Sequence, residues 1–520
     1  MQRQVNNIVI LGGGTAGWLT ASIIAAKHKI TPTGSAFNVT LIESPNVNSI
    51  GVGEGTWPSM RASLRRIGIK ETDFFRKCNA SFKQGTQFFD WTCRDKRSYI
   101  HPFTLPNNYA ETNLVEPWQK LSHEVTFAEA VCPQSKVFDK HLAPKQISTP
   151  EYVGQLNYGY HLDAGKFAEL LRKHATEILG VCHLTDHVVT VNNNEVGDIK
   201  SLTTTTREIE GELFVDCSGM QSILLGKHFK IPITKKHKFL FNDSALAAQV
   251  PYKDQDYEIE SCTLSTAQKA GWIWDIGLQS RRGTGYVYSS AHTTDEAAHN
   301  ALLAYIDGSS KAVNPSSISA RKITFEPGHR TAFWHRNCVA VGMAAGFIEP
   351  LEASALVLVE LAASTITDQL PYDRAHMEIV AKRFNKDFSR RWDSIVDFLK
   401  LHYVLTDRQD SAYWRDNKDA ETIPESLADS LAHWKYHPPW HHDNIYASEM
   451  FPSASYQYVL YGMGFKTHLE QSRESSKPNS WEIARQCFEN NLKQSKQLCA
   501  TLPTNRELIS KINTYGFQAV

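Results

Sequence analysis

The sequence predicts an α/β fold built on a doubly wound parallel sheet, and three stretches predict it. Each is an apolar run that breaks abruptly into glycines or other small residues. The first, "NIVILGGGTAGWLTASIIAAKHK", runs from Asn7 to Lys29. Ile8–Leu11 reads as a short buried strand and Trp18–Ala26 as the helix that follows it. Between them Gly12, Gly14 and Gly17 give G-x-G-x-x-G. The first glycine permits a tight turn, the second lets the backbone approach a pyrophosphate, and the third lets helix and strand pack closely. Thr15 and Ala16 complete the turn, and the helix N-terminus offers its unpaired N–H groups to the phosphates. Residues 38–42 read as the second strand. Glu43 ends it, where a ribose hydroxyl needs an acceptor. Thr31–Phe37 reads as a loop insertion that lengthens this spacing.

The second stretch, "ELFVDCSG" (212–219), is a buried strand running into a tight turn. The third, "NCVAVGMAAGF" (337–347), repeats the design, with Gly342, Ala344, Ala345 and Gly346 expected to lead into a helix. A helix is expected near Ala164–Ile178 and a strand at "HVVTV" (187–191). Three strand-to-turn units exceed what a mononucleotide needs. They suit an extended FAD threaded between sheet edge and helix ends. Val188, Gly342 and Phe347 therefore join Gly12, Gly14, Thr15, Ala16, Gly17 and Glu43 as candidate FAD contacts. The expected organisation is an FAD-binding domain over 1–370, interrupted by a strand-rich substrate sheet at about 85–160 and 230–330. The helical stretch 371–520, rich in Trp, Tyr and His, reads as a substrate cap.

Composition narrows the function classes. The 520 residues carry 55 Lys+Arg against 55 Asp+Glu, so no global field recruits nucleic acid or an anionic membrane. Nine scattered cysteines without any C-x-x-C point to reduced thiols and away from a zinc site. The His437, His441 and His442 cluster lacks the partner spacing of a zinc enzyme, and no metal is expected. The most apolar window, 338–363, holds Glu349, Pro350, Glu352 and Glu360, which argues against a membrane span. A first strand beginning so near Met1 leaves no room for a signal peptide, and a cytoplasmic location is the expectation.

Several segments together resemble the flavin-dependent tryptophan halogenase family. "GWIWDIGLQ" places Trp272, Trp274 and Ile276 in its W-x-W-x-I-P pattern, with Gly277 where proline is usual. "GVGEGTWP" (51–58), "YHLDAGKFAELLR" (160–172), "EPLEAS" (349–354) and "HYVLTDRQDSAYWR" (402–415) are similar to further signatures. The resemblance implies a glutathione-reductase/hydroxylase-like FAD fold and a two-component reaction. A separate flavin reductase supplies FADH2. Oxygen and chloride or bromide then yield hypohalous acid, which a lysine delivers to an electron-rich, indole-like aromatic. That lysine corresponds to Lys83, flanked in sequence by Phe82, Phe88, Phe89 and Trp91. An ammonium in such an apolar channel could hydrogen-bond hypohalous acid or deprotonate and form a haloamine; the plain alternative is a surface lysine with a snorkelling stem. The resemblance gives Glu352 the role of proton acceptor and puts halide at the amides of Ser354 and Ala355, where many members have Thr-Gly. It gives Trp272 and Trp274 the role of keeping organic substrate from the flavin, core packing being the plain alternative. His101, Phe103 and Tyr456 are the implied substrate contacts. The amino-acid clamp of tryptophan-specific members finds no counterpart in 448–465. Glu349 and Glu360 are expected to be structural or exposed. A two-component aromatic monooxygenase and a flavin-binding sensor are the rival readings, and a homodimer is compatible with either.

Overall fold

The structure is a computed structural model that describes residues 5–28, 37–46, 53–92, 98–121, 125–254, 256–309, 318–443, 449–468 and 480–518. All of the Thr31–Phe37 insertion except Phe37 lies outside them, as do Gly51, Val52 and Ser448. The chain divides into two compact units. The first comprises Met1–Ala80, Leu162–Lys235 and Phe325–Trp392; the second comprises Ser81–His161, Lys236–Thr324 and Asp393–Val520.

In the first unit, Asn7–Leu11 lies at the centre of a six-stranded sheet. Leu213–Asp216 pairs parallel on one side and Asn38–Glu43 on the other. Cys182–Thr185 and Cys338–Ala340 extend the two edges in parallel, and Trp334–His335 adds an antiparallel end. The central strand is almost wholly apolar because both faces of a parallel sheet are covered. One cover is Thr15–His28, buried without interruption from Gly17 to Ala25. Ala164–Glu177 forms where the sequence places a helix, because Asp163 caps it, accepting the backbone N–H groups of Gly165 and Lys166 at 3.1 Å. Val188–Asn193 is the strand expected at 187–191, paired antiparallel with Ile199–Thr204.

The third strand-to-turn unit departs from expectation, since no helix follows it directly. Gly342–Ala344 is a 3-10 turn, and Gly346–Phe347 pairs with Gly328–Arg330. A Cβ on Gly346 would come within 2.6 Å of the His329 backbone, so this glycine serves close strand pairing. The helix begins only at Ser354 and runs to Asp368. Within it Glu360 is 3% exposed rather than a surface residue, and Glu349 is likewise buried. Ser59 donates to the Glu360 carboxylate at 3.0 Å, and Ser63 donates to its second oxygen.

The second unit is dominated by a seven-stranded sheet in the order Ala320–Thr324, Ser244–Pro251, Arg281–Tyr288, Gly271–Gly277, Thr263–Gln268, Gly85–Phe89, Tyr99–Pro102. Every pairing is antiparallel except that of Thr263–Gln268 with Gly85–Phe89. Helix Asp295–Gly308 covers one face, burying Ala298, Leu302 and Ile306 against Leu246, Val250, Ile273, Tyr286 and Tyr288. Asp275 and Arg282 form a buried ion pair under this helix, with Nε to Oδ1 at 3.0 Å, and Tyr305 donates to the same carboxylate at 3.2 Å. A pair so fully hydrogen-bonded is tolerated in the interior, although breaking it would leave a costly lone charge.

Burial pushes the Glu360 carboxyl up to about 7, against the two serine donors that favour its charged form. A folded-state value above the unfolded one means that the native state binds more protons. Stability contributed by this group is therefore present in acid and lost as pH rises from about 4.5 towards 7. Glu360→Gln should flatten that part of the stability–pH curve, measured by urea unfolding at intervals between those values.

Candidate active site

The ends of the parallel strands in the first unit are crowded, and the crowding is made by backbone. Gly12 has φ +123°, and a Cβ there would lie 2.2 Å from the Cys217 carbonyl oxygen. A Cβ on Gly17 would lie 1.9 Å from the Gly12 oxygen, and one on Gly342 2.8 Å from the Ala16 Cβ. The three turns read from the sequence therefore meet at one end of the sheet, where Thr15–His28 presents its N-terminus. At Gly14 a Cβ would meet nothing within 4 Å, so this glycine borders open space. Such a cradle fits a dinucleotide: backbone donors at a helix start, room beside them and an acidic strand end nearby. Gly13, absent from the sequence-derived set, belongs to it. A Cβ there would lie 2.2 Å from the Glu43 carboxyl carbon, so its bareness lets Glu43 fold over the turn. The signal was the middle glycine of an unbroken GGG.

Glu43 is held from its other side by His183, whose Nε2 lies 2.9 Å from Oε2. Val188 is half-buried on its strand, and the preceding His187 lies 3.3 Å from the Ser44 hydroxyl, tying the segment after Glu43 in place. Gly342 and Phe347 lie on the turn and the short strand of the third unit. Sequence reasoning also missed Asp216. Fully buried at the end of its strand, it accepts the backbone N–H groups of Ser218 at 3.1 Å, Leu224 at 2.9 Å and Leu225 at 2.8 Å. One carboxylate thus organises the whole "DCSGMQSILL" turn. A lone aspartate before a serine-glycine pair was its only trace.

Glu352 is buried on an unusual backbone. It and Ala353 have φ +64° and +55°, two consecutive left-handed residues without a glycine. Each such residue costs about 1–2 kcal/mol, so neighbours must hold them. The Trp57 indole N–H does so, donating to the Glu352 carbonyl at 2.7 Å. Helix Ser354–Asp368 starts immediately afterwards, with Ser354 buried and Ala355 exposed at its first turn, where backbone N–H groups have no intrahelical acceptor.

In the second unit Lys83 ends the strand Ser81–Lys83, and it is no surface lysine. It is 1% exposed, and its Nζ lies 5.3 Å from the centre of the Phe103 ring. Phe88 and Trp91, its neighbours in sequence, instead join a cluster with Tyr99 and His402. His101 is buried, with Nε2 2.9 Å from the Ser455 hydroxyl. Its ring and that of Tyr456 both pack on Phe398, at 5.7 and 4.9 Å, and Phe451 stacks on Phe398 at 3.8 Å. Phe398 and Phe451 are aromatic surface the sequence reading passed over. Trp272 and Trp274 lie on one strand with ring centres 6.5 Å apart, both buried, and a Cβ on Gly285 would collide with the Trp274 ring. The histidine-rich 437–443 segment is a clasp: Asp443 accepts the Trp434 indole N–H at 2.7 Å, while His441 contacts the Ala110 carbonyl at 3.0 Å. Among the described residues no group of three or more metal-ligating side chains comes together, and no helix is long and apolar enough to cross a membrane.

Comparison with known proteins gives one answer. The profile of the tryptophan halogenase family matches residues 7–478. Tryptophan 7-halogenase RebH from Lentzea aerocolonigenes is 30% identical, over 98% of this chain and 99% of its own. Tryptophan 6-halogenase ThaL from Streptomyces albogriseolus is also 30% identical, over 99% of both chains. The crystal structure of a tryptophan halogenase from Shewanella frigidimarina superposes with a TM-score of 0.96 at 48% identity, over 100% of each chain. BrvH, a flavin-dependent halogenase from Brevundimonas sp. BAL3, gives 0.85 at 29% identity, over 98% of this chain and 99% of its own.

The tie between Trp57 and the Glu352 carbonyl is directly testable. Trp57→Phe keeps the ring and removes the N–H donor. Leaving that carbonyl without its donor should lower the unfolding free energy by about 1–3 kcal/mol in chemical denaturation.

Proposed function

We propose that this chain, which belongs to the tryptophan halogenase family and is a flavin-dependent halogenase, transfers oxidised chloride or bromide to an electron-rich, indole-like aromatic. A separate flavin reductase is the partner that this reading requires. Gly12, Gly13, Gly14, Thr15, Ala16 and Gly17 would hold the FAD pyrophosphate, Glu43 its ribose, and Val188, Gly342 and Phe347 further parts of the cofactor. When bound, reduced FAD supplies the reducing equivalents for oxygen chemistry that turns halide into hypohalous acid. The remaining steps belong to side chains of this protein.

The observation that carries the reading is the burial of Lys83 beside Phe103. Lysine is almost never fully buried without a reason, because desolvating an ammonium is costly. A nucleophilic or hydrogen-bonding nitrogen for the oxidised halogen is such a reason. In this role Nζ holds the halogen, and the Glu352 carboxylate accepts the proton that the aromatic ring loses as it regains aromaticity. The strained turn before helix Ser354–Asp368 supports a functional Glu352, since such backbone strain persists where neighbours impose it. The amides of Ser354 and Ala355 are the proposed halide contacts. His101, Phe103 and Tyr456, with Phe398 and Phe451, would contact the aromatic substrate, and Trp272 with Trp274 would keep it from the flavin.

With reductase, FAD, NADH, bromide and indole, Lys83→Ala should abolish brominated product while oxygen uptake stays near wild type. Glu352→Gln keeps the shape and removes the charge, and should slow product formation by about 10²-fold. Product from Lys83→Ala at the wild-type rate would remove the lysine from the mechanism. A halide-independent hydroxylated product from both variants would favour a monooxygenase. Gly14→Val tests the cofactor site separately. Its side chain has room in the protein itself but projects where the phosphates would lie, so FAD affinity by fluorescence titration should fall with the fold intact.

A further inference from the structure

His161 has no part in the roles assigned above, yet its surroundings are unusual. Strand Ser81–Lys83 pairs antiparallel with Gly159–Asp163, with Ser81 opposite His161 and Lys83 opposite Gly159. Residues directly opposed share a face, as do residues two apart, so His161 and Lys83 lie diagonally on the same face. A diagonal separation of this kind is about 7–8 Å between Cα atoms and is spanned by long side chains. Gly159, facing Lys83, brings no side chain into the space between.

The His161 ring is completely buried. Its Nε2 is fixed by the Thr263 hydroxyl at 2.8 Å. Its Nδ1, equally buried, has no hydrogen-bond partner among the described residues. An unsatisfied buried ring nitrogen is destabilising, and such an atom in a native interior calls for a reason. Burial first, and the charge of Lys83 second, hold the imidazole well below the usual histidine range. Among the described residues, Lys83 is the charged group that contributes to this shift. The Lys83 ammonium and a protonated His161 would therefore repel one another. If the charge leaves Lys83, its repulsion of a protonated His161 leaves with it, and the cost of burial is what remains.

We propose that His161 is the proton acceptor through which Lys83 becomes the neutral amine that takes up halogen. This rests on the assignment of Lys83 as the halogen carrier. One Nζ–H bond breaks and its proton passes to His161 Nδ1. The Nζ lone pair attacks the halogen of hypohalous acid, and the O–X bond breaks with its electron pair leaving on oxygen. That hydroxide takes the second proton lost from Nζ and departs as water. The products are a neutral haloamine, a protonated His161 and one water. Transfer to the substrate reverses the proton movement. The Nζ–X bond breaks as C–X forms, and Nζ regains one proton from His161 and one that the ring carbon loses to Glu352 and Glu352 passes on, restoring ammonium, neutral imidazole and carboxylate. His161 acts only through Lys83 and is a positioning residue in that sense.

The test uses the full chain with reductase, FAD and bromide, without aromatic substrate. After rapid removal of small molecules, the oxidising equivalents retained on the protein are titrated with 5-thio-2-nitrobenzoate. Wild type should retain a haloamine that Lys83→Met lacks. His161→Gln places an amide where Nε2 stands, so it can keep the hydrogen bond to Thr263 while having no basic nitrogen, and a purely structural histidine would tolerate it. The proposal requires haloamine formation to slow by roughly 10²-fold, and kcat for indole to fall with little change in KM or FAD affinity. His161→Gln forming haloamine at the wild-type rate, with Lys83→Met forming none, would overturn the proposal and leave Lys83 in place. Wild-type haloamine in Lys83→Met would overturn the lysine assignment itself. Should His161→Gln fail to fold, Thr263→Val decides: it frees the ring to rotate, and an unchanged rate would overturn the relay.

Discussion

Close backbone packing at the ends of the parallel strands is the constraint on which the first unit depends. Gly12 touches the Cys217 turn, Gly17 touches Gly12, and Gly342 touches Ala16, each at a distance that no Cβ would survive. The strands they terminate are neighbours in the sheet, so the three turns converge without any further device. Asp216 completes the arrangement from below. Its carboxylate gathers three backbone N–H groups that would otherwise be unpaired in a buried turn. In the proposed function, cofactor recognition would follow from this geometry rather than from any reactive side chain, and the residues proposed to matter most to it have almost no side chain at all.

The buried ionisable side chains obey a different rule. Lys83, Glu352, Glu360 and His161 are all buried, and ionisable groups in that position destabilise the fold unless something holds them. Glu360 shows the structural solution, with two serine hydroxyls on one carboxylate. Asp275 and Arg282 show another, an ion pair completed by Tyr305. His161 has neither, since one ring nitrogen is fixed and the other has no hydrogen-bond partner among the described residues. That contrast sets His161 apart from the groups whose surroundings satisfy them. Glu352 carries its cost in the backbone as well, where two left-handed residues are secured in part by the Trp57 indole.

The aromatic residues divide along similar lines. Phe88, Trp91, Tyr99 and His402 form a packed cluster whose rings interlock at 4.5–5.8 Å. Around Phe398 the rings of His101, Phe451 and Tyr456 converge from different elements. A ring that stacks on Lys83, Phe103, follows His101 by two positions on the same strand-and-turn segment. Sequence proximity to the lysine was a poor guide here, because Lys83 ends one strand and Phe88 lies in the next, which belongs to a different sheet.

Some of this was written in the sequence. The apolar run Ile8–Leu11, the glycines after it and Glu43 specify a parallel strand, a turn and an acceptor through local rules alone, and the Asp163 cap fixes where its helix starts. The family motifs carried the fold class and the enzyme class, because they are spread over most of the chain. Other features belong to tertiary structure. Gly13 matters only because Glu43 folds over it, and Asp216 only because the following turn wraps back onto its carboxylate. The helix expected after Gly342 waits until Ser354, since strand pairing at Gly346 captures the backbone first. Lys83 reads in sequence as an ordinary lysine, and the pairing that buries it beside His161 joins segments almost eighty residues apart. Local sequence sets propensities and steric permissions; which charges are buried, and beside whom, is decided by contacts between distant segments that no local pattern encodes.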